Sequence, residues 1–576
     1  MLSRLLLSAR TARRLRWRQL AYRPLRRLQA RLPAPAAPPA AGVDAGRAAA
    51  LAGVWAAAGA GEPQARLRHA REVLGGRFEL AGHAETLPSV DWTARHGSPL
   101  WTYHLHYFDF AVDLAWAWRA TGDAAFARGF EALAEGWMRQ TAGARGPGWE
   151  AYPVSLRTAN WARARALFGG ALDPAFTARL DASLHAQLAF LERRLEWQVM
   201  ANHLQKNLHA LALGGLLFTG SPAARWRTRG TELLWSQLSE QVLDDGVHFE
   251  RSPMYHAVAL GDFVEIVALM DACGFGVPDA ARERVRRMAA AWTRLSRPGG
   301  IPHLFNDGGE DGAPPAPWLN ALTERALGSL PPRPRGAWAL PDGGFFGWEG
   351  EGERIVVDCG APGPGYQPGH AHCDALSFEL DLGGARVVVD SGTRGYEGDP
   401  LRAWQRSTRA HSTVEIAGRE QSEVWGTFRV ARMAQVHAVE VPREGEDFRL
   451  IGEVRPFHDR RALHRRTITR EGAGAWRVDD RVEGAAGAPL RSFLHLHPDW
   501  EVRVEGARAE AVSPGGAVAI EAFGADRVRV VRGEREPAQG WYSPRFGAAF
   551  PAPVLVLEVD ANRGDGFGWR VRAVER

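Results

Sequence analysis

Two histidines stand two residues apart in the segment Gly369–Asp374. They follow a Gly/Pro-rich loop and precede an apolar run, 375–382, that predicts a strand. Side chains two residues apart in an extended segment face the same way, so we expect His370 and His372 to project together at the mouth of a sheet. Imidazole transfers protons near neutral pH and is the commonest metal ligand. The pair therefore predicts a catalytic site, a metal site, or one of each.

Asp390 and His411 are the residues that could complete a metal site with His372. Two imidazoles and one carboxylate, with water as the fourth ligand, form a reasonable zinc set. Alternatively, Asp390 begins a turn and His411 caps the end of a strand. Spacing over this length of chain does not decide between the two interpretations.

Further polar residues with catalytic potential lie in the first half of the chain. Tyr255 has an ordinary pKa near 10, which makes it a poor base unless a nearby cation lowers that value. Arg251 could act in this way from the same helix face, although Pro253 disfavours a helix that continues through it. Otherwise Tyr255 is a buried phenol hydrogen-bonded to backbone. Asn202 offers an amide that can hold a carboxyl group, or it caps a helix predicted from His203.

The period of the apolar residues changes near residue 330, in a Pro-rich segment. Before it, apolar residues three and four apart predict helices, among them Phe108–Arg119, Pro174–Gln198, His203–Phe218, Arg225–Leu243 and Pro278–Arg297. After it, alternation predicts short strands, among them Arg354–Asp358, Ala385–Asp390, Thr413–Ile416, Phe448–Ile451, Ala475–Asp480, Glu501–Glu505 and Val554–Val559. Many short strands without helical crossovers favour an antiparallel sandwich. We therefore expect an α+β multidomain protein, with a helical domain over 43–330, a β-sandwich over 331–576, and a ligand cleft between them.

Residues 1–42 form an Arg-rich tail followed by a Pro/Ala linker. Ten arginines and no acidic residue occur between Met1 and Leu32. The apolar run Leu5–Ala9 is short for a signal-peptide core and far too short for a membrane span. The tail is interpreted either as a surface-associated basic helix that contacts a membrane peripherally or as a disordered segment. The linker, 33–41, would separate it from the body of the protein.

The composition is that of an ordinary soluble globular protein, with 45% apolar and 24% charged residues. Lys206 is the single lysine, so 70 of the 71 basic residues are arginine. A biased genome explains such an excess, and guanidinium groups also pair well with the oxyanions of acidic polymers. Nucleic acid is a disfavoured partner, because no compact basic motif of a known reader occurs.

Eight segments, taken in order, carry a resemblance to a known family. They are Trp101–Asp109, Gly148–Arg157, Gly246–His256, Phe305–Asp307, Gly369–Asp374, Val389–Thr393, Ala410–Val414 and Gln421–Gly426. Each is weak alone, but together, over a helical half and then a β half, they resemble the heparinase II/III family of polysaccharide lyases. The resemblance implies an incomplete (α/α) toroid followed by antiparallel β-sheets. It also implies β-elimination at a uronic acid in an acidic polysaccharide.

The resemblance further assigns roles to individual residues. The carboxylate-neutralising asparagine would be Asn202, and the catalytic tyrosine and histidine would be Tyr255 and His370. One zinc ion, with a structural role, would be bound by His372, Asp390 and His411. Substrate contacts are expected from Arg251, His203, Trp149 and Glu150.

Three alternatives accompany the lyase interpretation. Helical toroids also host glycoside hydrolases, which need two carboxylates, and Glu250 and Asp307 are candidates. The His-x-His-x-Asp pattern also occurs in two-metal hydrolases, but the extra histidine expected after Asp374 is replaced by Ala375. A protein that binds or trims a nascent polysaccharide at the cell envelope is the third alternative. We expect the cell envelope or periplasm as the setting, with the cytoplasm left open, and the sequence predicts no oligomeric state.

Overall fold

The computed structural model describes residues 2–29, 42–59, 63–485, 487–560 and 566–574. The Pro/Ala linker predicted over 33–41 lies outside these residues. The helices are α1 (Leu2–Ala12), α2 (Trp17–Gln29), α3 (Ala45–Ala58), α4 (Pro63–Leu74), α5 (Pro99–Tyr107), α6 (Asp109–Thr121), α7 (Ala124–Gln140), α8 (Ala151–Phe168), α9 (Pro174–Glu192), α10 (Ala201–Leu217), α11 (Gly220–Gln241), α12 (Pro253–Ala272), α13 (Asp279–Leu295), α14 (Ala316–Leu327) and α15 (Pro400–Gln405).

The strands begin to dominate after α14, and β5 opens the β half of the chain. They are β1 (Arg77–Leu80), β2 (His83–Thr86), β3 (Ser296–Arg297), β4 (Ile301–Pro302), β5 (Gly336–Leu340), β6 (Phe345–Gly350), β7 (Glu353–Asp358), β8 (Phe378–Leu382), β9 (Ala385–Val388), β10 (Val414–Ile416), β11 (Val424–Trp425), β12 (Arg429–Val430), β13 (Gln435–Glu440), β14 (Arg449–Arg455), β15 (Leu463–Gly472), β16 (Ala475–Glu483), β17 (Pro489–His495), β18 (Glu501–Glu505), β19 (Arg508–Ser513), β20 (Gly516–Phe523), β21 (Arg527–Arg532), β22 (Glu534–Arg535), β23 (Ala538–Gln539), β24 (Trp541–Tyr542), β25 (Phe550–Pro551), β26 (Pro553–Asp560) and β27 (Phe567–Val574).

The helical half packs its helices around one large core that is rich in tryptophan, with Trp55, Trp101, Trp137, Trp161 and Trp226 almost fully buried. The helix α12 is apolar on all sides, as expected for a helix enclosed by others. Among the described residues it is the one helix long and apolar enough to span a membrane, but it is almost entirely buried within the protein. Its position is therefore that of a core helix, and its first turn faces the β half.

The β half is built from antiparallel ladders. One sheet has the order β5-β6-β7-β8-β9, a second has the order β13-β14-β15-β16-β27-β20-β19-β18, and a third has the order β10-β17-β26-β21. Their inner faces share a second core that contains Trp476, Trp500 and Trp569. The predicted fold class, a helical domain followed by antiparallel β-sheets, is confirmed. The strand predicted after the histidine pair is shorter than expected, because Leu376 has a positive φ of 65° and β8 begins at Phe378.

A buried ion pair in the second sheet helps to fix the loops at its edge. Arg466 on β15 donates to both carboxylate oxygens of Asp480 on β16, at 2.7 and 2.8 Å. The same guanidinium donates to the backbone carbonyls of Leu376 and Ser412, at 2.8 and 2.5 Å. These two carbonyls belong to the segments that follow Asp374 and His411. Arg466 on the sheet thus fixes the positions of the two loops relative to each other.

The Arg-rich segment is helical and lies against the body of the protein. Helix α1 contacts the β half, where Arg10 donates to Glu423 at 2.8 Å. Arg14, two residues beyond α1, donates to the carbonyl of Ala431 at 2.8 Å. Helix α2 contacts the helical half, and its Gln19 is fully buried beside the carbonyl of Val199. For residues 2–29 the interpretation as a disordered tail is therefore wrong.

Candidate active site and metal-binding group

The carboxylate of Asp307 is the centre of the site. One oxygen accepts from Nδ1 of His370 at 2.9 Å, and the other accepts from Nε2 of His372 at 2.9 Å. Arg402 donates to both oxygens, with Nη2 at 2.9 Å. Asp307 is fully buried. Burial alone would raise its pKa, but Arg402 and the two imidazoles outweigh burial and hold the pKa of Asp307 well below its usual range.

An ionised carboxylate only accepts hydrogen bonds, so both ring nitrogens that face Asp307 carry protons. His370 is therefore protonated at Nδ1 and His372 at Nε2. The expectation that these side chains project to one side is confirmed, although they lie in a loop before β8 rather than in a strand.

Asn306 joins the two halves of the site. Its side-chain oxygen accepts from the backbone N–H of His372 at 2.9 Å, and its amide donates to the carbonyl of Arg251 at 3.0 Å. Its backbone N–H donates to Asp374 at 2.9 Å. The residue has a positive φ of 59°, which is uncommon outside glycine and is maintained here by these three hydrogen bonds.

Tyr255 lies in the first turn of α12. Ser252 caps this helix, because its hydroxyl accepts from the backbone N–H of Tyr255 at 3.2 Å. The same hydroxyl donates to the carbonyl of Asp307 at 2.6 Å, which joins the helix start to the centre of the site. As a result the Tyr255 and His370 rings lie against each other, with centroids 3.9 Å apart. From the sequence, only the family resemblance predicts that Tyr255 and His370 share a site.

Tyr396 is a second phenol at the site that the sequence analysis did not identify. Its hydroxyl lies 2.9 Å from that of Tyr255. The guanidinium of Arg402 lies 5.2 Å from the Tyr396 ring. Burial and the neighbouring Tyr396 and Asp307 raise the pKa of Tyr255 well above its ordinary value, so its phenol is protonated at neutral pH. Tyr396 lies three residues beyond the Val389–Thr393 motif. An aromatic residue among glycines was the sequence signal that could have pointed to it.

The other nitrogen of His370, Nε2, faces Glu250 at 4.0 Å. Both carboxylate oxygens of Glu250 are buried without a hydrogen-bond partner among the described residues. Burial raises the pKa of Glu250, while His370 and His203 act in the opposite direction. Asp307 and Glu250 thus lie on opposite sides of one imidazole, and Asp307 is fully engaged. This arrangement does not suit the two free carboxylates that a glycoside hydrolase requires.

Asn202 lies in the first turn of α10, immediately before His203. The helix N-cap is Met200, which makes no side-chain cap bond, so the alternative that Asn202 is the N-cap is wrong. Met200 and Ala201 have positive φ values of 66° and 49°. These two consecutive unusual backbone conformations set the direction in which α10 begins. Uncapped N–H groups at a helix start favour an anion.

His203 lies beside this helix start. Its Nδ1 lies 3.2 Å from Glu196, and its ring lies 4.4 Å from that of Tyr152. Burial alone would lower the pKa of His203, but Glu196 raises it above the ordinary value. An imidazole next to Asn202 is suited to donate a hydrogen bond to a substrate carboxylate.

Arg251 does not occupy the position that was expected of it. Its guanidinium donates to the backbone carbonyls of Gly343 at 3.0 Å, Asp342 at 3.1 Å and Phe249 at 3.3 Å. The residue lies outside α12, as Pro253 predicted, and has a positive φ of 56°. Through these bonds Arg251 attaches the segment before α12 to the β half, and its contact with substrate stays a prediction.

Trp149 and Glu150, the other two predicted substrate contacts, lie in different environments. Trp149 donates to the carbonyl of Thr141 at 2.9 Å, and its partly buried ring packs against Phe190 at the edge of the core; its contact with a sugar stays a prediction. Glu150 is exposed and accepts from the hydroxyl of Tyr103 at 3.0 Å. Its proposed contact with substrate stays a prediction.

A candidate metal-binding group lies behind the catalytic residues. One ligand atom each of His372, Asp374 and His411 lie within 4.8 Å of one another, and all three residues are buried. Nδ1 of His372 and Nε2 of His411 have no hydrogen-bond partner among the described residues. Asp307 and Asp390 accept hydrogen bonds from the opposite ring nitrogens and so hold the protons there, with Asp390 at 2.7 Å from Nδ1 of His411. The two bare nitrogens are what a metal ion requires, so the residues fit one.

The structure thus differs from the predicted ligand set in its carboxylate. Asp374, which was named only as part of the motif, belongs to the group, while Asp390 orients His411. The signal for Asp374 was its i+2 spacing from His372, which places both on one side of an extended segment.

Comparisons with known proteins agree with this geometry. The family model "Heparinase II/III N-terminus" matches residues 79–316, and "Heparinase II/III-like, C-terminal" matches residues 332–570. A heparin-sulfate lyase from Pedobacter heparinus is 27% identical over 361 residues, which cover 56% of this chain and 53% of the relative. One from Bacteroides stercoris is 25% identical over 248 residues, covering 38% and 36%. The chain thus matches about half the length of the first relative and less of the second.

Solved structures show the same fold. A structure of heparinase III superposes with a TM-score of 0.71 at 16% identity, covering 89% of this chain and 85% of the other. A heparan sulfate lyase from Pedobacter heparinus superposes with a TM-score of 0.59 at 22% identity, covering 89% and 83%. The two family models together span both halves of the chain and the site between them. The chain therefore belongs to the heparinase II/III-like family.

Proposed function

We propose that this protein is a polysaccharide lyase that cleaves an acidic, uronic-acid-containing polysaccharide by β-elimination. The observation that carries the proposal is the contact between Tyr255 and His370, whose Nδ1 is bound by Asp307 while Nε2 has no hydrogen-bond partner within the described part of the chain. A phenol and an imidazole side by side can act on one face of a sugar ring. The relatives named heparin-sulfate lyase support the same chemistry.

The chemical difficulty of the reaction lies in the C5 proton of the uronate. Removing it while the adjacent carboxylate is ionised would place a second negative charge on the same group. Asn202, the start of α10 and His203 supply hydrogen-bond donors where that second charge develops. Their contribution is therefore larger in the transition state than in the ground state, which is what accelerates a reaction.

The two proton transfers are divided between His370 and Tyr255. Nε2 of His370 has a free electron pair, because Asp307 keeps the ring proton on Nδ1, so it accepts the C5 proton. The electron pair of the C5–H bond forms the C4–C5 double bond, and the C4–O bond breaks. Tyr255, which burial keeps protonated, donates its proton to the leaving oxygen, and Tyr396 hydrogen-bonds the resulting phenolate. The product carries a 4,5-unsaturated uronate at its new non-reducing end.

We propose that the metal is zinc and that its role is structural. Two imidazole nitrogens and a carboxylate suit zinc, and His372, Asp374 and His411 would hold it. The ion would fix the loop that bears His370, two residues from His372. Asp307 and Asp390 orient the two imidazoles from behind.

The reaction type is tested through its products. We expect new ultraviolet absorbance from an unsaturated uronate when the protein is incubated with its substrate from a panel of uronate polysaccharides. In ¹⁸O-labelled water the new chain ends should carry no label, because water is not a reactant. A variant with both Tyr255→Phe and His370→Ala is the control and should be inactive. Labelled ends without ultraviolet absorbance would identify a hydrolase instead.

The division of the proton transfers is tested with two leaving groups. We expect Tyr255→Phe to lose about 10²–10⁴-fold in kcat on the polysaccharide, where the leaving oxygen needs a proton. On a synthetic uronide with fluoride at C4 the same variant should be nearly unimpaired, while His370→Ala should fail on both substrates. Tyr542→Phe is the matched control, because that buried hydroxyl makes no hydrogen bond to any residue that the structure describes. If the fluoride substrate restored the activity of His370→Ala and not that of Tyr255→Phe, the two residues would have the opposite roles.

The ligand set is tested by the metal content of purified variants. Asp374→Asn and His411→Ala should lose the zinc, and their thermal unfolding temperatures should fall with it. Asp390→Asn should still bind zinc, with an affinity lower by about 10–100-fold, as expected for a partner behind a ligand. Asp479→Asn, on the exposed side of β16, is the control. Equal loss of zinc from Asp390→Asn and Asp374→Asn would make Asp390 a direct ligand.

A further inference from the structure

The helices α1 and α2 present their apolar side chains to solvent. Leu5 is 60% exposed, Trp17 is 71% exposed and Leu28 is 56% exposed, and Leu6, Leu20 and Leu25 are exposed as well. Scattered single hydrophobic residues on a surface are normal, but these six lie within 24 consecutive residues. Such a concentration marks an interaction site.

The orientation of α2 is inverted relative to an ordinary surface helix. At about 100° per residue, Trp17, Leu20, Pro24, Leu25 and Leu28 fall within about 140° of arc, and all of them are exposed. An amphipathic helix on a soluble protein normally turns such a face toward the core.

The face of α2 that does pack on the protein is polar. Gln19 is fully buried and lies 3.4 Å from both the carbonyl of Val199 and the side chain of Gln367. Arg26, seven residues further on, donates to Gln198 at 3.3 Å. The polar contacts thus fix the orientation of α2 and leave its apolar face outward.

Helix α1 repeats the arrangement on the β half. Leu5, Leu6 and Ala9 are exposed, whereas Thr11 on the opposite side accepts from Trp425 at 3.1 Å. Arg10 is held by Glu423 on the same side. Both helices therefore present exposed apolar side chains away from the residues that they bind. We call the set Leu5, Leu6, Ala9, Trp17, Leu20, Pro24, Leu25 and Leu28 the outer face.

The surroundings of the outer face are basic. Arg4, Arg13, Arg18, Arg23 and Arg27 are exposed, and α1 and α2 contain no acidic residue. Burial lowers the pKa of Arg23, and the positive charges of Arg429 and Arg27 add to this, so these guanidinium groups lie near one another. Apolar side chains rimmed by arginine, with tryptophan among them, suit the interface of a bilayer with anionic headgroups.

Two other occupants fit less well. An acidic polysaccharide would satisfy the arginines but would leave the leucines in water. A second copy of the chain would cover the leucines but would bring two basic rims together without an acidic residue from either pair of helices to offset them, and like charges opposed across an interface disfavour association.

We propose that the outer face is a membrane-docking surface that seats the protein on a bilayer of anionic phospholipid, with α1 and α2 lying in the plane of the interface. The polar face of α2 meanwhile contacts Val199 and Gln367, three residues from Asn202 and His370 respectively. Docking therefore holds the catalytic cleft close to the membrane surface. The proposal does not depend on the lyase reaction.

Flotation of the full-length protein with vesicles tests it. We expect binding to phosphatidylglycerol/phosphatidylcholine vesicles that weakens as salt rises, and little binding to pure phosphatidylcholine. The triple variant Trp17→Ser, Leu25→Ser, Leu28→Ser should bind at least tenfold more weakly. Val439→Ser with Val441→Ser is the matched control, because these exposed valines lie elsewhere, on and beside β13. Circular dichroism should show that both variants are folded.

Sedimentation of the same proteins distinguishes the remaining outcome. The proposal expects the wild type and the triple variant to have the same oligomeric state without vesicles. Equal flotation of the wild type and the triple variant would overturn it. An oligomer that the triple substitution dissociates, with no flotation of the wild type, would also overturn it and would make the outer face a contact between copies.

Discussion

The buried negative charge of Asp307 is the constraint on which the site depends. A carboxylate in this position needs compensating donors, and it has them in Arg402, His370 and His372. Because an ionised carboxylate only accepts, one group sets the tautomers of two histidines that serve different purposes. His370 is left with a bare Nε2 for the proposed proton transfer, and His372 with a bare Nδ1 that faces the candidate metal-binding group.

Asn306 and Asp307 also explain how the site is assembled from the two halves of the chain. Asn306 and Asp307 come from the end of the helical half, yet they bind the loop before β8 and the backbone of Arg251 ahead of α12. Arg251 reinforces this junction by binding carbonyls before β6. The site is therefore held together by hydrogen bonds between the two halves of the chain, and Tyr255 and His370 meet at that junction.

The parts that the sequence predicts well are those controlled by local periodicity. The helix α13 and the strands β7 and β18 follow directly from their apolar patterns, and the histidine pair indicated a site with two purposes. Long-range contacts were less accessible. From the sequence, Asp307 is a candidate hydrolase carboxylate and Asp374 is part of the Gly369–Asp374 motif. Neither segment reveals which hydrogen-bond donors surround its carboxylate after folding. The contacts of Arg251 were out of reach of the sequence for the same reason, since two of the carbonyls that it binds come from the other half of the chain.

Locating the hydrogen atoms around Asp307 by neutron diffraction tests this account most directly. The account predicts deuterium on Nδ1 of His370 and on Nε2 of His372, none on the Asp307 carboxylate, and a bare Nε2 on His370. Deuterium on Asp307, or on Nε2 of His370 with Nδ1 bare, would contradict it. In that case the histidine could not accept the C5 proton in the manner described.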